Sequence, residues 1–159
     1  MARRASALAL GGIEHMSNPT TQAFQASHGD EPVFFRFRAS LRIAGEGLDF
    51  EEISRTLGLT PTHQHRKGEP HGQGLRRQDI WIYDAPIDRE RPLHEHIMAL
   101  WDAVCPQIPY LRELKQKFHV DVFCGYRSNN STAGFEVDHR CLGLFAELEV
   151  PFGVSVIIS

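Results

Sequence analysis

From Phe35 to Ile43 the chain alternates without a break. Phe35, Phe37, Ala39, Leu41 and Ile43 interleave with Arg36, Arg38, Ser40 and Arg42. Only a strand turns its side chains to opposite faces every second residue. One face of this strand is apolar and the other cationic, so it belongs to a sheet covered on one side. Gly45 and Gly47 end it.

A helix is expected next. Asp49 suits its N-cap, with Glu52 three residues on. Phe50, Ile53 and Leu57 share a face, and Gly58 suits the C-terminal turn. The connection from Thr60 to Gln78 holds Gly68, Pro70, Gly72 and Gly74, so it cannot stay regular for long. Asp79–Asp84 reads as a second strand, with Ile80 and Ile82 toward the core and Trp81 and Tyr83 away from it. A helix begins near Pro92, with Leu93, Ile97, Leu100, Trp101 and Val104 as its stripe. Pro106 and Pro109 interrupt it, and a shorter helix carries Leu111, Leu114 and Phe118. Val120–Arg127 is a strand, Ser128–Ser131 a turn and Gly134–Val137 a short strand paired across it. Asp138 caps a last helix with Cys141, Leu142, Phe145 and Leu148 buried, and Phe152–Ile158 is the final strand. The order β-α-β-α-β-β-α-β predicts an α+β two-layer sandwich. Its sheet is mostly antiparallel with helices on one face, broadly ferredoxin-like.

The chain of 159 residues has room for one domain. Residues 33–159 are read as that α+β domain. Residues 1–32 are read as a disordered extension, because they are polar, small and aperiodic, with Met16 as a candidate true start. The run Ala5–Leu10 after Arg3 and Arg4 is short and weakly apolar for a signal peptide. A net charge of −3 argues against a general nucleic-acid or anionic-membrane binder. No apolar run reaches the roughly 20 residues that a spanning helix needs. The three cysteines, Cys105, Cys124 and Cys141, are odd in number and widely spaced, which reads as reduced thiols in a cytoplasmic protein.

Several marks recur in order along the chain. They are the opening strand ending in Ile43 with Gly45, and Leu57-Gly58-Leu59 with Pro61-Thr62. Arg66-Lys67-Gly68, Trp81, the His94/His96 helix and Gly134-Phe135-Glu136 follow. In these the chain resembles, from Phe35 to Ile158, the bacterial family called domain of unknown function 4279. The resemblance implies a small soluble bacterial domain and carries no activity, cofactor or catalytic residue with it. His63, His65 and His71 depart from the family's marks.

Four groups of residues invite a functional reading. His63, His65 and His71 are candidate metal ligands, since imidazole is a common ligand and two His separated by one residue can converge. No cysteine lies near in sequence to complete a structural zinc set, so no metal is expected. Arg66, Lys67, Arg76 and Arg77, among Gly68, Gly72 and Gly74, could clamp an anion. They could equally form a solvated loop balanced by Glu46, Glu69 and Asp79. No P-loop pattern is present. By parity, the open sheet face should show Arg36, Arg38, Arg42, Trp81, Tyr83, Phe123, Arg127 and Glu136. Arg interleaved with aromatics suits a protein interface or stacked bases, and the negative net charge favours the protein. Asp138-His139-Arg140-Cys141 has helical spacing that buries Cys141, and no base accompanies it.

The expectation is therefore a non-enzymatic interaction module with no cofactor and no catalytic residue. It would bind a protein partner, or a second copy of itself, through the open sheet face and the 60–78 loop. An immunity protein against a toxin is one example of that class. The alternative is a small-anion or nucleotide-like ligand site built on the Arg/Lys/Gly loop and Trp81. The residues assigned to binding are Arg36, Arg38, Thr62, Arg66, Lys67, Gly68, Trp81, Tyr83 and Arg127.

Overall fold

The computed structural model describes residues 32–132 and 134–159. The reading of residues 1–32 as an extension falls, apart from Pro32, outside them. The alternating segment forms β1 (Phe35–Gly45), and its apolar set, Phe37, Ala39, Leu41 and Ile43, is buried. The chain then turns into α1 (Phe50–Leu57). Asp49 caps this helix by accepting the Glu52 amide at 2.9 Å, and Gly58 closes it in the left-handed region at φ 67°. Both caps follow from residue type: a short carboxylate matches an orphan amide, and glycine has no Cβ to clash.

The 60–78 connection is not a bare loop. It contributes a short edge strand, β2 (His63–His65), and a small hairpin of β3 (Pro70–His71) and β4 (Gly74–Leu75). Then come β5 (Asp79–Asp84), α2 (Leu93–Val104), a 3₁₀ turn at Cys105–Gln107, and α3 (Ile108–Lys115). The remainder is β6 (His119–Ser128), a 3₁₀ turn at His139–Cys141, α4 (Leu142–Leu148) and β7 (Val154–Ile158).

These elements make the α+β protein the sequence predicts. The main sheet runs β2-β5-β1-β6-β7. All pairs are antiparallel except β6 with β7. The likeness to a ferredoxin-like arrangement therefore goes no further than the layering. The predicted strand at Gly134–Val137 does not form. β7 occupies the edge of β6 that this strand would have needed, and Phe135 instead packs its ring on Phe37 and Tyr126.

The core lies between one face of the sheet and the helices. Phe50, Ile53 and Leu57 of α1 join Leu93, Ile97, Leu100 and Val104 of α2 there. Ile108, Leu111, Leu144, Phe145 and Leu148 complete the helical side. In the last helix Leu144 is buried and Leu142 is 43% exposed, the reverse of the predicted assignment for Leu142, because a 3₁₀ turn precedes α4 and rotates its phase. Cys124 and Cys141 are buried, Cys105 is half-buried, and all three are free thiols. Desolvation pushes the Cys124 thiol up to about 12, which leaves it inert at neutral pH.

The main correction concerns β5. The predicted parity is inverted: Trp81 is fully buried, while Ile80 and Ile82 are half-exposed on the opposite face. Every residue from Ile80 to Tyr83 is apolar or aromatic, so this strand carries no phase of its own. The phase is set by pairing. Trp81 lies directly opposite Ile43 and Tyr83 opposite Leu41, and directly opposed side chains share a face. Trp81 reaches α1, where its indole N–H donates to Ser54 Oγ at 3.0 Å. Trp81 and Tyr83 therefore leave the proposed binding face, and Ile80 and Ile82 take their place.

His96 on α2 is buried, and neither ring nitrogen makes a hydrogen bond of good geometry among the described residues, although the backbone at Asp88 and Arg91 lies close to the ring. Desolvation lowers its pKa against carbonyls and acids around Asp88 and Arg91, so the folded state holds it neutral.

Two outcomes follow. Trp81→Ala should cost about 3–5 kcal/mol in a denaturant titration, with Ile80→Ala costing clearly less; equal costs would mean that β5 is not phased by β1. As the folded pKa of His96 lies below the unfolded value, its contribution is complete above about pH 6.5 and declines below it. The loss in melting temperature between buffers at about pH 7.5 and about pH 5.5 should be smaller in His96→Leu than in the parent chain.

Candidate functional site

Two clusters of cations flank the sheet, and they differ in what holds them. The first lies where the 66–68 turn meets β5. Asp79 stands at the end of the core face of β5 and is 5% exposed. Its carboxylate accepts the amides of Lys67 at 2.7 Å, Gly47 at 2.9 Å and Leu48 at 3.0 Å. Arg66 adds an ion pair at 3.3 Å. The Lys67 amide above all, then those of Leu48 and Gly47 with the Arg66 guanidinium, holds the carboxyl below its ordinary value despite desolvation.

Arg66 is also committed elsewhere. It donates to the Leu48 carbonyl, and its guanidinium lies 3.7 Å from the Phe50 ring centroid. Lys67 pairs with Glu46 at 2.6 Å, and Gly68 turns the chain at φ 84°. Glu69 accepts the Arg66 amide at 2.9 Å. Arg66 and Lys67 are thus matched by Asp79 and Glu46, Glu69 holds the turn through the Arg66 amide, and Arg76 and Arg77 make no ion pair among the described residues. Thr62 hydrogen-bonds the Ile82 carbonyl and the Asp84 amide, which fastens β2 to β5. It lines a hollow of about 530 Å³ with Phe50, Glu51, Ser54 and His63. The imidazoles of His63 and His65 meet at 3.1 Å. Desolvation, with Arg76 and His63 nearby, lowers the pKa of His65. No group of three His, Cys, Asp or Glu side chains converges on a metal position among the described residues.

The second cluster lies on the open sheet face. β1 and β6 place Arg36 opposite Arg127 and Arg38 opposite Gly125. Arg89, from the segment before α2, joins them, fixed by its carbonyl accepting the Phe37 amide at 2.7 Å. These four arginines, with Phe123, Gly125, Ser155 and Ile157, line a concavity of about 260 Å³ in which no carboxylate takes part. Phe123 is the aromatic ring of this lining on which arginines stack. Arg38 and Arg42 lie 4.9 and 4.8 Å from the ring centroid. Gly125 permits this, since a Cβ there would stand 3.0 Å from the ring.

The face is polarised along the strands. Toward Gly45, Arg42 makes a two-pronged pair with Asp121 at 2.7 and 2.6 Å, and Ser40 donates to Asp84 at 2.5 Å. Desolvation raises the Asp121 carboxyl, but Arg42 and then His119 outweigh it and leave the pKa lowered. Toward Phe35, Arg36, Arg38, Arg89 and Arg127 have no carboxylate partner among the described residues, and Arg127 donates to Ser159 Oγ at 3.3 Å.

The structure therefore brings Arg36, Arg38 and Arg127 together with Phe123, which parity also placed on this face, and adds Arg89. It puts Arg66, Lys67 and Gly68 into a separate, internally bonded corner at the Asp79 end of β5, Thr62 at the Asp84 end of the same strand, and Trp81 and Tyr83 on the helical side. Arg89 was missing from the sequence-derived set. It lies in the irregular Pro86–Pro92 segment, where no periodicity assigns a face.

The sequence profile described as domain of unknown function (DUF4279) matches residues 35–159, and the chain belongs to that family. Comparison with curated proteins and with solved structures finds no match.

Asp79→Ala should cost about 3 kcal/mol or more, because three amides and a guanidinium lose a shared acceptor. The depressed carboxyl contributes fully above about pH 4 and loses that contribution as pH falls through its folded value. Chemical denaturation of both chains should show the gap between them closing in acid. A gap that persists unchanged at pH 2, as the test condition, would mean that the carboxylate charge is not what matters.

Proposed function

We propose that this member of the DUF4279 family is a non-enzymatic interaction module whose open sheet face receives an acidic surface of a protein partner. The supporting observation is the cluster of Arg36, Arg38, Arg89 and Arg127, gathered around Phe123 without a lining carboxylate in a chain whose net charge is −3. Like charges repel, so four guanidinium groups on one patch cost stability that an incoming anion offsets. Arginine and aromatic side chains are also the types enriched where proteins meet.

Size favours a macromolecule over a small ligand. The concavity of about 260 Å³ falls below the roughly 300–1,000 Å³ usual for enclosed ligand pockets. The ligand reading built on the 66–68 loop and Trp81 has less support, since Arg66 and Lys67 are paired internally and Trp81 is buried. The 60–78 loop accordingly supports the sheet in this proposal rather than the partner. No helix among the described residues is long and apolar enough to cross a membrane. With three unpaired thiols, we place the module in a reducing compartment such as the cytoplasm.

The test is charge reversal on the face. Arg36→Glu/Arg38→Glu should leave the thermal melt within a few degrees of the parent and abolish partner capture from the source lysate. Arg66→Gln should do the opposite, lowering the melt and sparing capture at temperatures where the chain is folded. Capture that survives the double reversal would remove the arginine face from the proposal.

A further inference from the structure

The arginine concavity continues to the edge of the sheet. β7 is the last strand in the order, and Ser155 and Ile157 of β7 form part of the concavity's wall beside Arg127. Edge strands of folded proteins are normally blunted by charge, proline or a bulge, because their free amides and carbonyls template further strands. β7 has none of these. Val154–Ile158 holds no charged residue, no proline and no glycine. Val156, Ile157 and Ile158 are 54%, 54% and 48% exposed. Beyond it no strand pairs among the described residues.

We propose that β7 is a docking edge for an extended partner segment in which acidic and apolar residues alternate, added to the sheet beside β7. This rests on the reading of the open face given above and specifies the partner's form. Main-chain hydrogen bonds to β7 would supply affinity, and the two faces of the added strand would supply specificity. An added strand presents alternate side chains to opposite faces. On the open face they meet Arg127, whose guanidinium already extends along β7 as far as Ser159 Oγ, at 3.3 Å. Arg36, Arg38 and Arg89 stand behind it and hold the potential of this face positive. Carboxylates belong there. On the helical face the neighbours are Val154, packed against the core, and Val156, so that set is apolar.

Charge also decides against a second copy as the occupant. In a pairing of β7 with β7, the incoming strand is Val-Ser-Val-Ile-Ile, which brings no carboxylate to Arg127. The arginines would remain unmatched, and apolar side chains would have to serve both faces.

A synthetic heptapeptide alternating Glu and Val, carrying a fluorophore, tests this by anisotropy on the full chain. Three further probes share its composition or its partners. One is a block isomer with all Glu before all Val. The second is the alternating peptide methylated on alternate backbone nitrogens, on either set in turn. The third is the alternating peptide against the Arg127→Glu and Arg127→Gln chains, with Arg112→Glu on α3 as the remote control. The alternating peptide should bind, and more weakly as salt rises. The block isomer, one of the two methylated peptides and both Arg127 variants should each bind at least about tenfold more weakly. Amide exchange in Val154–Ile158 should slow on binding, and Arg112→Glu should behave as the parent. Equal binding by both methylated peptides would overturn strand addition and leave the charged face intact as a reading. Equal binding by the block isomer, or none by the alternating peptide, would overturn the proposed pattern. A dimer in sedimentation that the peptide dissociates would overturn the choice of occupant. The capture experiment with Arg36→Glu/Arg38→Glu decides the open-face reading separately, since it does not depend on β7.

Discussion

The buried Asp79 carboxylate ties together three stretches that have no local reason to meet. They are the Gly47–Leu48 turn before α1, the Arg66–Lys67 turn after β2, and β5 itself. A carboxylate taken out of water needs several donors, and here backbone amides supply most of them. Backbone donors are fixed in direction, so the arrangement fixes the entry of α1 and the path of the long connection together. Once α1 is set, Phe50, Ile53 and Leu57 fall over the sheet and Ser54 meets the Trp81 indole. The phase of β5, set by its pairing with β1, agrees with that placement.

This gives a physical account of the marks by which the family is recognised. Arg66-Lys67-Gly68 and Trp81 belong to a supporting corner. Arg66 neutralises Asp79 and covers Phe50, Lys67 offers its amide, Gly68 allows the turn, and Trp81 fills the space below α1. A cationic motif next to a tight turn looks the same in sequence whether it holds a ligand or a neighbouring carboxylate. The carboxylate here is Asp79, 13 residues beyond Arg66, at the start of a strand.

The open face is organised by the opposite circumstance, cations without local acids. Its two ends are chemically unlike, with Arg42 paired to Asp121 near Gly45 and the arginine concavity near Phe35. Phe123 joins the two ends, contacted by Arg38 from one side of the polarity and Arg42 from the other. Because the concavity runs into an unblunted apolar edge strand, the face and the edge form one continuous surface of arginine, aromatic ring and aliphatic side chain.

Much of this was legible in the residues alone. The alternation of β1, the Asp49 and Gly58 caps, the proline break between α2 and α3 and the arginine-bearing face all follow from local patterns. Local chemistry dictates them: side-chain direction in a strand has period two, and helix ends need particular cap residues. Three features required the tertiary structure. A strand apolar on both faces, such as Ile80–Tyr83, takes its phase from the strand it pairs with, so Trp81 could not be placed from its own neighbours. Gly134–Val137 is extended in character, but the place beside β6 went to β7, a competition between segments far apart in the chain. Arg89 reached the concavity through an irregular segment with no period to read. The sequence by itself determined the elements, the α+β class and the cationic face of β1. Which charges are paired and which stand free was decided only in three dimensions, because an ion pair depends on distance across the fold and not on separation along the chain.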